Sequence, residues 1–370
     1  MSAVKIQRLA LPKGVSLKCE ICSEPVAFRC SECPTYYCTR EHFETDWYGV
    51  LHEIHQDVAE LREVSKNVGT EKDRQQREKE LISIRRKILE ISRATAQKFV
   101  VQGQYVLAIA GALQALRMSE ALYGTDSMEV VSSQLLLAEV HLGLQRLQSA
   151  EELLTLVNWS LFKHPEAGQR MRPHLCRNIG RLYSAQKRYD EALNAFALAI
   201  YHAACEHGPE SFRTAPSYFY MAQAFRESKK SNNEAIRFYA KVCDIYFKWF
   251  DTVYVRSSQP GDVQPSLGDR HIDEIEIQEA IEIMQHIQQQ AEEILGRDHR
   301  RTSDARAALG LLQAHAKEFV PAIENLEAAV QAMKESLGEK HHLTIQRAKQ
   351  LAIVSSIDAS HKKARNQRAF

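Results

Sequence analysis

The sequence has few of the residues that interrupt helices and no excess of charge of either sign. Its 370 residues include only 10 prolines and 15 glycines, which is few for an all-β protein. Lysine and arginine number 48 against 47 aspartates and glutamates, which argues against a dedicated nucleic-acid binder. No apolar run approaches the roughly 18 residues of a membrane helix, and the opening MSAVKIQRLALPKG is too short and polar for a signal peptide. We therefore expect no nucleic-acid partner and no membrane partner.

Catalytic motifs are also missing. The sequence contains no glycine-rich phosphate loop, no nucleophile elbow and no HExxH metalloprotease motif. Paired carboxylates such as Glu151 and Glu152 are neighbours in sequence, so they do not face each other on a helix. We therefore predict a non-enzymatic protein with no small-molecule substrate.

Cysteine is sparse except near the N-terminus, where five of the eight residues cluster with histidines. Clustered CxxC pairs in a chain without a signal peptide indicate metal binding rather than disulfides. Four thiolate or imidazole ligands complete a tetrahedral zinc site, which leaves no open position for a catalytic water. The pattern therefore predicts structural zinc. Eight candidate ligands occur in four close pairs: Cys19 and Cys22, Cys30 and Cys33, Cys38 and His42, and His52 and His55.

The order of these ligands resembles that of a MYND zinc finger. The run reads Cys-x2-Cys-x7-Cys-x2-Cys-x4-Cys-x3-His, and Tyr37-Cys38 and Asp46-Trp47 match the family's usual landmarks. The resemblance implies a protein-interaction module, often for proline-containing peptides, or one that only caps the helices behind it. It also implies a cross-brace with two structural Zn²⁺ ions: Cys19, Cys22, Cys38 and His42 on the first, and Cys30, Cys33, His52 and His55 on the second.

Two positions depart from the family pattern. His42 stands where most members have cysteine, which is a conservative exchange for zinc. The final pair usually reads His-x3-Cys, but Leu51 occupies the histidine position here and the pair becomes His52-x2-His55. The alternative for both histidines is an exposed helix face without metal.

An alanine recurs at nearly constant spacing along the rest of the chain. The spacings are 42, 42, 43, 45 and 42 residues, and the positions are Ala108, Ala150, Ala192, Ala235, Ala280 and Ala322. The clearest copy, NIGRLYSAQKRYDEALNAFALAI (178–200), resembles a tetratricopeptide (TPR) helix–turn–helix, in which small residues let two helices approach closely. The long period and the Leu-Gly-x-x-His loops resemble the TPR subtype of kinesin light chains.

The regular spacing predicts an all-α fold. It is a TPR-type α-solenoid of about 42-residue repeats, preceded by a small N-terminal cross-brace zinc finger. Six segments are expected: an N-terminal segment 1–18, a MYND-type finger 19–56, a connection and the start of a long helix 57–85, a TPR array 86–340, a capping helix 341–358, and a basic tail 359–370 that is expected to be disordered.

Three local features carry further expectations. One long helix should run from about Thr70 to Gln102. The Pro- and Gly-rich loop 257–270 interrupts the fifth repeat, so either the preceding helix runs on past Phe250 or the array breaks there. We favour a flexible excursion of the chain, which leaves room for a functional insertion. The interrepeat loops predict glycine C-caps with positive φ at Gly124, Gly296 and Gly338, and helix N-caps near Thr302 and Thr344.

The first helix of each TPR pair lines the concave face of such arrays. On this basis Arg177, Arg181 and Phe219 are predicted to face a partner-binding groove, in which the arginines would pair with carboxylates of an extended peptide or helix. The alternative is that the two arginines pair with neighbouring glutamates of the chain itself.

A MYND finger followed only by TPR helices resembles a MYND–TPR family of ciliated organisms. Segments such as AQKFVVQGQY, LLLAE and NIGRLYSAQKRYDEA carry the likeness. It implies an adaptor in the cytoplasm and the axoneme of the cilium or flagellum that tethers or positions an inner dynein arm. The implied partners are an inner dynein arm heavy chain, a second TPR protein and, as a further candidate, tubulin of the doublet microtubule.

Other MYND and TPR proteins supply the alternatives. A kinesin-light-chain-like cargo adaptor or a MYND corepressor-type adaptor would act outside the axoneme. SET-domain methyltransferases also join a MYND finger to TPR-like helices, but their β-rich catalytic fold has no room in this sequence.

Overall fold

The regular secondary structure of the described residues is helical apart from a small sheet near the N-terminus. The computed structural model describes residues 2–6, 17–63, 69–166, 168–229, 231–255 and 272–368. The chain divides into two compact units, Met1–Gln186 and Lys187–Phe370. No helix among the described residues is both long enough and apolar enough to cross a bilayer.

The first unit starts with an antiparallel sheet in the order β1-β2-β3, in which Val4 pairs with Arg29 and Arg29 pairs with Tyr36. The strands are β1 (Ala3–Lys5), β2 (Phe28–Cys30) and β3 (Tyr36–Tyr37). The helical elements are α1 (Arg40–Asp46), a π-helical segment (Trp47–Leu51), α2 (His52–Arg62), α3 (Glu71–Val101), α4 (Tyr105–Tyr123), α5 (Met128–Gly143), α6 (Leu147–Lys163), a 3-10 turn (Gln169–Met171) and α7 (Arg172–Ala185).

The second unit contains helices and helical turns. They are α8 (Tyr189–His207), a 3-10 turn (Phe212–Thr214), α9 (Ala215–Glu227), α10 (Asn232–Phe250), a π-helical segment (Asp251–Val255), α11 (Glu274–Leu295), α12 (Arg300–His315), α13 (Phe319–Leu337) and α14 (His342–Arg368). The largest core of this unit gathers buried residues from the 3-10 turn at Phe212 and from α9 to α14, the last of them Val354.

The recurring alanines are buried in every predicted repeat. Each is at most 1% exposed. The alanine is the fourth residue of α4, α6, α8, α10 and α13, and the seventh of α11, which begins three residues earlier relative to it. The predicted repeat is therefore confirmed as a TPR-type arrangement, in which a small residue stands near the start of each second helix.

Glycines allow the backbones to approach even more closely within two helix pairs. A Cβ atom added to Gly310 of α12 would lie 2.8 Å from the carbonyl oxygen of Ala322 in α13. A Cβ atom added to Gly111 of α4 would lie 2.8 Å from the carbonyl oxygen of Ser92 in α3. Because real Cβ atoms are not found so close to a backbone oxygen, either substitution would push the two helices apart.

The predicted C-cap glycines are confirmed. Gly124, Gly296 and Gly338 follow the ends of their helices with φ of 84°, 88° and 89°. Gly208, which the sequence reasoning missed, has the same role with φ of 94°. Only glycine adopts this conformation without steric cost, which is why it recurs at this point of the repeat.

The threonines of these loops do not cap the following helices, so that prediction was wrong. His299 is the N-cap of α12, and its Nδ1 accepts a hydrogen bond from the backbone N–H of Arg301 at 3.1 Å. Thr302 lies inside α12 and its hydroxyl donates back to the carbonyl oxygen of Gly296 at 2.8 Å. Thr344 makes the same bond across the 338–344 loop at 2.9 Å. The threonine therefore closes the loop on its own glycine.

Helix ends agree with the sequence in one place and differ in another. The predicted long helix is confirmed as α3, which begins within one residue of the expected start. The last helix runs on to Arg368, well beyond the predicted 341–358, so residues 359–368 are helical and not disordered.

The loop 257–270 lies outside the described residues. Before it, the π-helical segment carries the chain past Phe250 to Val255, which agrees with the first of the two alternatives.

Gly310→Ala should lower the free energy of unfolding by about 1–3 kcal/mol, because the added methyl group meets a backbone oxygen. An ordinary glycine-to-alanine exchange inside a helix acts in the opposite direction, by ~1 kcal/mol. Denaturant unfolding followed by circular dichroism measures the difference. Glu327→Ala, at an exposed position of α13, is the matched control and should change little. A stabilised Gly310→Ala variant would contradict the close approach of α12 and α13.

Candidate functional site

Four predicted ligands come together at the N-terminal end of the first unit. The ligand atoms of Cys19, Cys22, Cys38 and His42 all lie within 4.8 Å of one another. Nδ1 of His42 is 3.1 Å from Sγ of Cys38 and 3.5 Å from Sγ of Cys19, and Sγ of Cys22 is 3.4 Å from Sγ of Cys38. A tetrahedral zinc with ~2.3 Å bonds to sulfur holds neighbouring sulfurs ~3.8 Å apart. The four side chains therefore fit one metal ion.

Local structure places these four side chains. Cys19 and Cys22 lie on a tight turn, in which the N–H of Ser23 donates to the carbonyl of Cys19 and Ser23 takes a φ of 62°. Cys38 comes directly after β3, and His42 lies in the first turn of α1. Thr39 caps α1 by accepting a hydrogen bond from the backbone N–H of His42 at 3.2 Å. This cap turns His42 towards the sulfur of Cys38, four residues earlier.

The environment acts differently on the thiols of Cys19 and Cys38. Burial alone would raise the pKa of the Cys19 thiol, but hydrogen bonds from the backbone at Cys22, Cys38 and Ile21 outweigh it and lower the pKa to about 7. Burial and the neighbouring sulfurs raise the pKa of Cys38 to about 12. A thiolate therefore forms more readily at Cys19 than at an ordinary cysteine, while a metal ion would have to displace the proton of Cys38.

The other predicted ligand set is not gathered into such a cluster within the residues that the structure describes. This set is Cys30, Cys33, His52 and His55. Nδ1 of His52 lies 2.9 Å from the carbonyl oxygen of Trp47, and Nδ1 of His55 lies 3.1 Å from that of His52. Nε2 of His55 is 3.6 Å from the carboxylate of Glu32, inside the second CxxC loop. Because Nδ1 of both His52 and His55 lies against a backbone carbonyl, only Nε2 of each histidine remains to bind a metal. A second zinc ion therefore stays a prediction.

A buried hydrogen bond joins Tyr37 and Asp46, two of the residues on which the MYND resemblance rests. The hydroxyl of Tyr37 donates to Oδ2 of Asp46 at 2.6 Å, and the Tyr37 side chain is fully buried. Burial raises the pKa of Asp46 to about 6, although the bond from Tyr37 acts to lower it. The bond ties β3 to the end of α1. Because Cys38 and His42 lie between these two points, it fixes the second half of the ligand set.

A charged network that the sequence reasoning missed attaches the finger to the first helix pair. The carboxylate of Glu20, between two ligands, accepts from Arg62 at 2.6 Å and from Arg117 of α4 at 2.8 Å. Arg117 also donates to the backbone carbonyl of Glu20, and Arg62 donates to that of Pro34 at 2.6 Å. Glu20 and Arg117 are 97 residues apart, so no local sequence pattern could have revealed the pair.

Apolar packing reinforces this attachment. One buried cluster joins ligand residues to α3 and α4 through Ile88 and Ala110. A Cβ atom added to Gly49 would lie 2.6 Å from the carbonyl oxygen of Leu107 in α4. The finger therefore packs directly against the first helix pair.

The predicted groove arginines have partners within the chain. Arg181 of α7 forms an ion pair with Glu139 of α5, and Arg177 lies 3.4 Å from Nδ1 of His174. Burial would raise the pKa of Glu139, but Arg181 and Arg177 together hold it below its usual value. For Arg181 the structure thus agrees with the alternative of a neighbouring glutamate.

Phe219 does not lie on an exposed groove surface, and its predicted partner-binding role is corrected. It is 5% exposed and belongs to the core of the second unit. Its ring lies 5.4 Å from that of His286 in α11 and 6.2 Å from that of Tyr239 in α10. The equivalent position in the first unit, Leu135, is also 5% exposed.

A comparison with protein-family models agrees with the repeat. A tetratricopeptide repeat family model matches residues 173–246. TPR-like repeats of a Podosopora anserina protein described as a kinesin light chain are 16% identical, with a TM-score of 0.36 over 67% of this chain and 96% of that one. BtubC (BKLC) from P. vanneervenii is also 16% identical, with a TM-score of 0.28 over 76% of this chain and 92% of that one.

Zinc content distinguishes the two ligand sets. The purified protein should carry at least one zinc ion per chain, and His42→Ala should lose about one because it removes one of four tetrahedral ligands. Mass spectrometry of the metal after gel filtration measures the ratio. If the second set also binds, the wild-type protein should carry two ions and the His52→Ala/His55→Ala variant one.

Cys205→Ala is the matched control, because Cys205 is an exposed cysteine in α8, far from the cluster in sequence. It should leave the zinc content unchanged. A wild-type protein without zinc, or a His42→Ala variant with unchanged content, would contradict the metal centre.

Proposed function

We propose that this protein is a non-enzymatic adaptor of the ciliary or flagellar axoneme that tethers or positions an inner dynein arm. The tetratricopeptide match over 173–246, on helices with the buried alanine pattern, carries the general part of the proposal. TPR helix pairs build extended surfaces for protein partners and are typical of scaffolds rather than enzymes. The axonemal part rests on the resemblance to MYND–TPR proteins of ciliated organisms.

The electrostatics of the first unit indicate what kind of segment a partner would present. Arg177 and Arg181 lie one turn apart on α7, and His174 lies one turn before Arg177. Glu139 is the carboxylate on which both arginines act. We infer that the partner presents an acidic segment to this face, since guanidinium groups bind carboxylates in a bidentate geometry.

The finger has a more restricted role in this proposal. The Glu20 network and the packing of Gly49 against α4 hold it against the first helix pair. We therefore assign it first to closing the N-terminal end of the TPR array, where exposed apolar helix faces would otherwise meet water.

Affinity purification of the tagged full-length protein from ciliated cells tests the axonemal assignment. We expect recovery of an inner dynein arm heavy chain and a second TPR protein, with tubulin as a further candidate. Quantitative mass spectrometry against the tag alone measures the enrichment. Recovery of only nuclear corepressor or cargo-transport partners would overturn the axonemal part and leave the general adaptor role in place.

The same purification tests the charged surface. Arg177→Gln should reduce recovery of the partners by about fivefold or more, because it removes one charge-assisted contact. Arg237→Gln, at an exposed arginine on α10 that pairs with Glu234, is the matched control and should leave recovery unchanged. Equal losses in both variants would contradict a specific role for α7. Circular dichroism checks that each variant remains folded.

A further inference from the structure

The outer face of α6 exposes an unusual set of large apolar side chains. Leu156, Trp159 and Phe162 are 54%, 57% and 73% exposed. The rings of Trp159 and Phe162 stack with centroids 5.9 Å apart. The opposite face of the same helix is buried, with Val157 and Leu161 at most 1% exposed. Core packing therefore already occupies one side of α6, and the exposed side has no such use within the described chain.

Charged residues flank this face at its two ends. Glu152, Leu156, Trp159 and Lys163 follow one another at intervals of four, three and four residues, which places them in one stripe along the helix. Among the described residues, neither Glu152 nor Lys163 forms an ion pair; Glu152 accepts from the side-chain amide of Gln148, and Lys163 lies 5.3 Å from the Trp159 ring. At 1.5 Å per residue the two charges stand about 16 Å apart, too far to pair with each other.

The stripe is complementary to itself in the antiparallel direction. When two copies of α6 lie side by side with opposite directions, Glu152 of one copy faces Lys163 of the other, and Leu156 faces Trp159. Each pair occurs twice, because the two-fold axis exchanges the copies. The shallow depression lined by Gln148, Glu152 and Leu156 then lies opposite Phe162 of the second copy.

From this self-complementarity we infer that the protein forms a two-fold symmetric homodimer through antiparallel pairing of α6. The contact has the features of a specific interface: aromatic side chains at the centre, and charged residues at the rim. An interface of one helix per copy is small, so the dimer is expected to be reversible, with association between ~1 and ~100 µM. Glu151 and Glu152 beside the apolar face disfavour an anionic membrane as its occupant.

Sedimentation velocity of the full-length protein between ~1 and ~100 µM tests the inference. The mass should rise with concentration from the 42.2 kDa monomer towards the dimer. Trp159→Ala should weaken association by about tenfold or more, since it removes the central aromatic residue of both copies. Tyr201→Ala, which removes a 63% exposed aromatic side chain from α8, is the matched control and should have no effect.

A charge exchange tests the antiparallel register. In low salt, Glu152→Lys and Lys163→Glu should each weaken association by about fivefold or more, because each creates two like-charge pairs across the axis. Mixing the two variants in equal amounts should restore association, because the mixed dimer again has two opposite-charge pairs. High salt should reduce the difference.

Several results would overturn the inference. A wild-type protein that remains monomeric up to 100 µM would do so, as would a mixture of the charge variants that does not associate. So would co-sedimentation of monomeric protein with phosphatidylserine vesicles that is lost in Trp159→Ala, because the face would then bind a membrane. Circular dichroism of each variant separates loss of association from loss of folding.

Discussion

The fold depends on the close approach of paired helices. This approach is possible because the residue at the contact is alanine or glycine, whose side chain is at most a methyl group. The alanine near the start of each second helix is buried throughout, and at Gly310 and Gly111 even a methyl group would collide with backbone oxygen. Such contacts fix the separation of a helix pair, and the larger side chains then fill the remaining space. Because every repeat uses the same contact, stability in each unit accumulates from neighbour to neighbour and needs few long-range constraints.

Features set by local chemistry could be predicted from the sequence. The period follows from the alanine spacing, and the C-cap glycines follow from a backbone conformation that other residues avoid. The threonines were misassigned because the histidine three residues after the glycine in both loops, His299 or His341, can also accept a backbone hydrogen bond. The choice between two suitable caps depends on loop geometry, which residue type alone does not determine. The Arg181–Glu139 pair spans one repeat, so the repeat spacing could have favoured it over the groove role.

Features set by tertiary packing could not be predicted. Phe219 was placed on the groove by its position in the repeat. The equivalent Leu135, in a regular repeat, is just as buried, so position in the repeat alone does not identify an exposed groove residue. Around Phe219, α11 packs on α9, and His286 contacts both Phe219 and Gln223. The predicted metal ligands show the same distinction between local and distant contacts. Cys38 and His42 are held together by one helix cap. The second predicted set would have to join distant segments, and Nδ1 of both its histidines already contacts a backbone carbonyl.

The position of Glu20 couples metal binding in the N-terminal finger to the first helix pair. Glu20 lies between Cys19 and Cys22, and its carboxylate and backbone carbonyl both accept hydrogen bonds from Arg117 of α4. A metal held by the two cysteines would therefore restrict the same short turn that anchors the first helix pair. Thermodynamic linkage makes this coupling reciprocal. If metal binding stabilises the contact with the first helix pair, a well-formed helix pair increases the affinity for the metal by the same free energy. The concentration of available metal in the cell would then affect how well ordered the first repeat is.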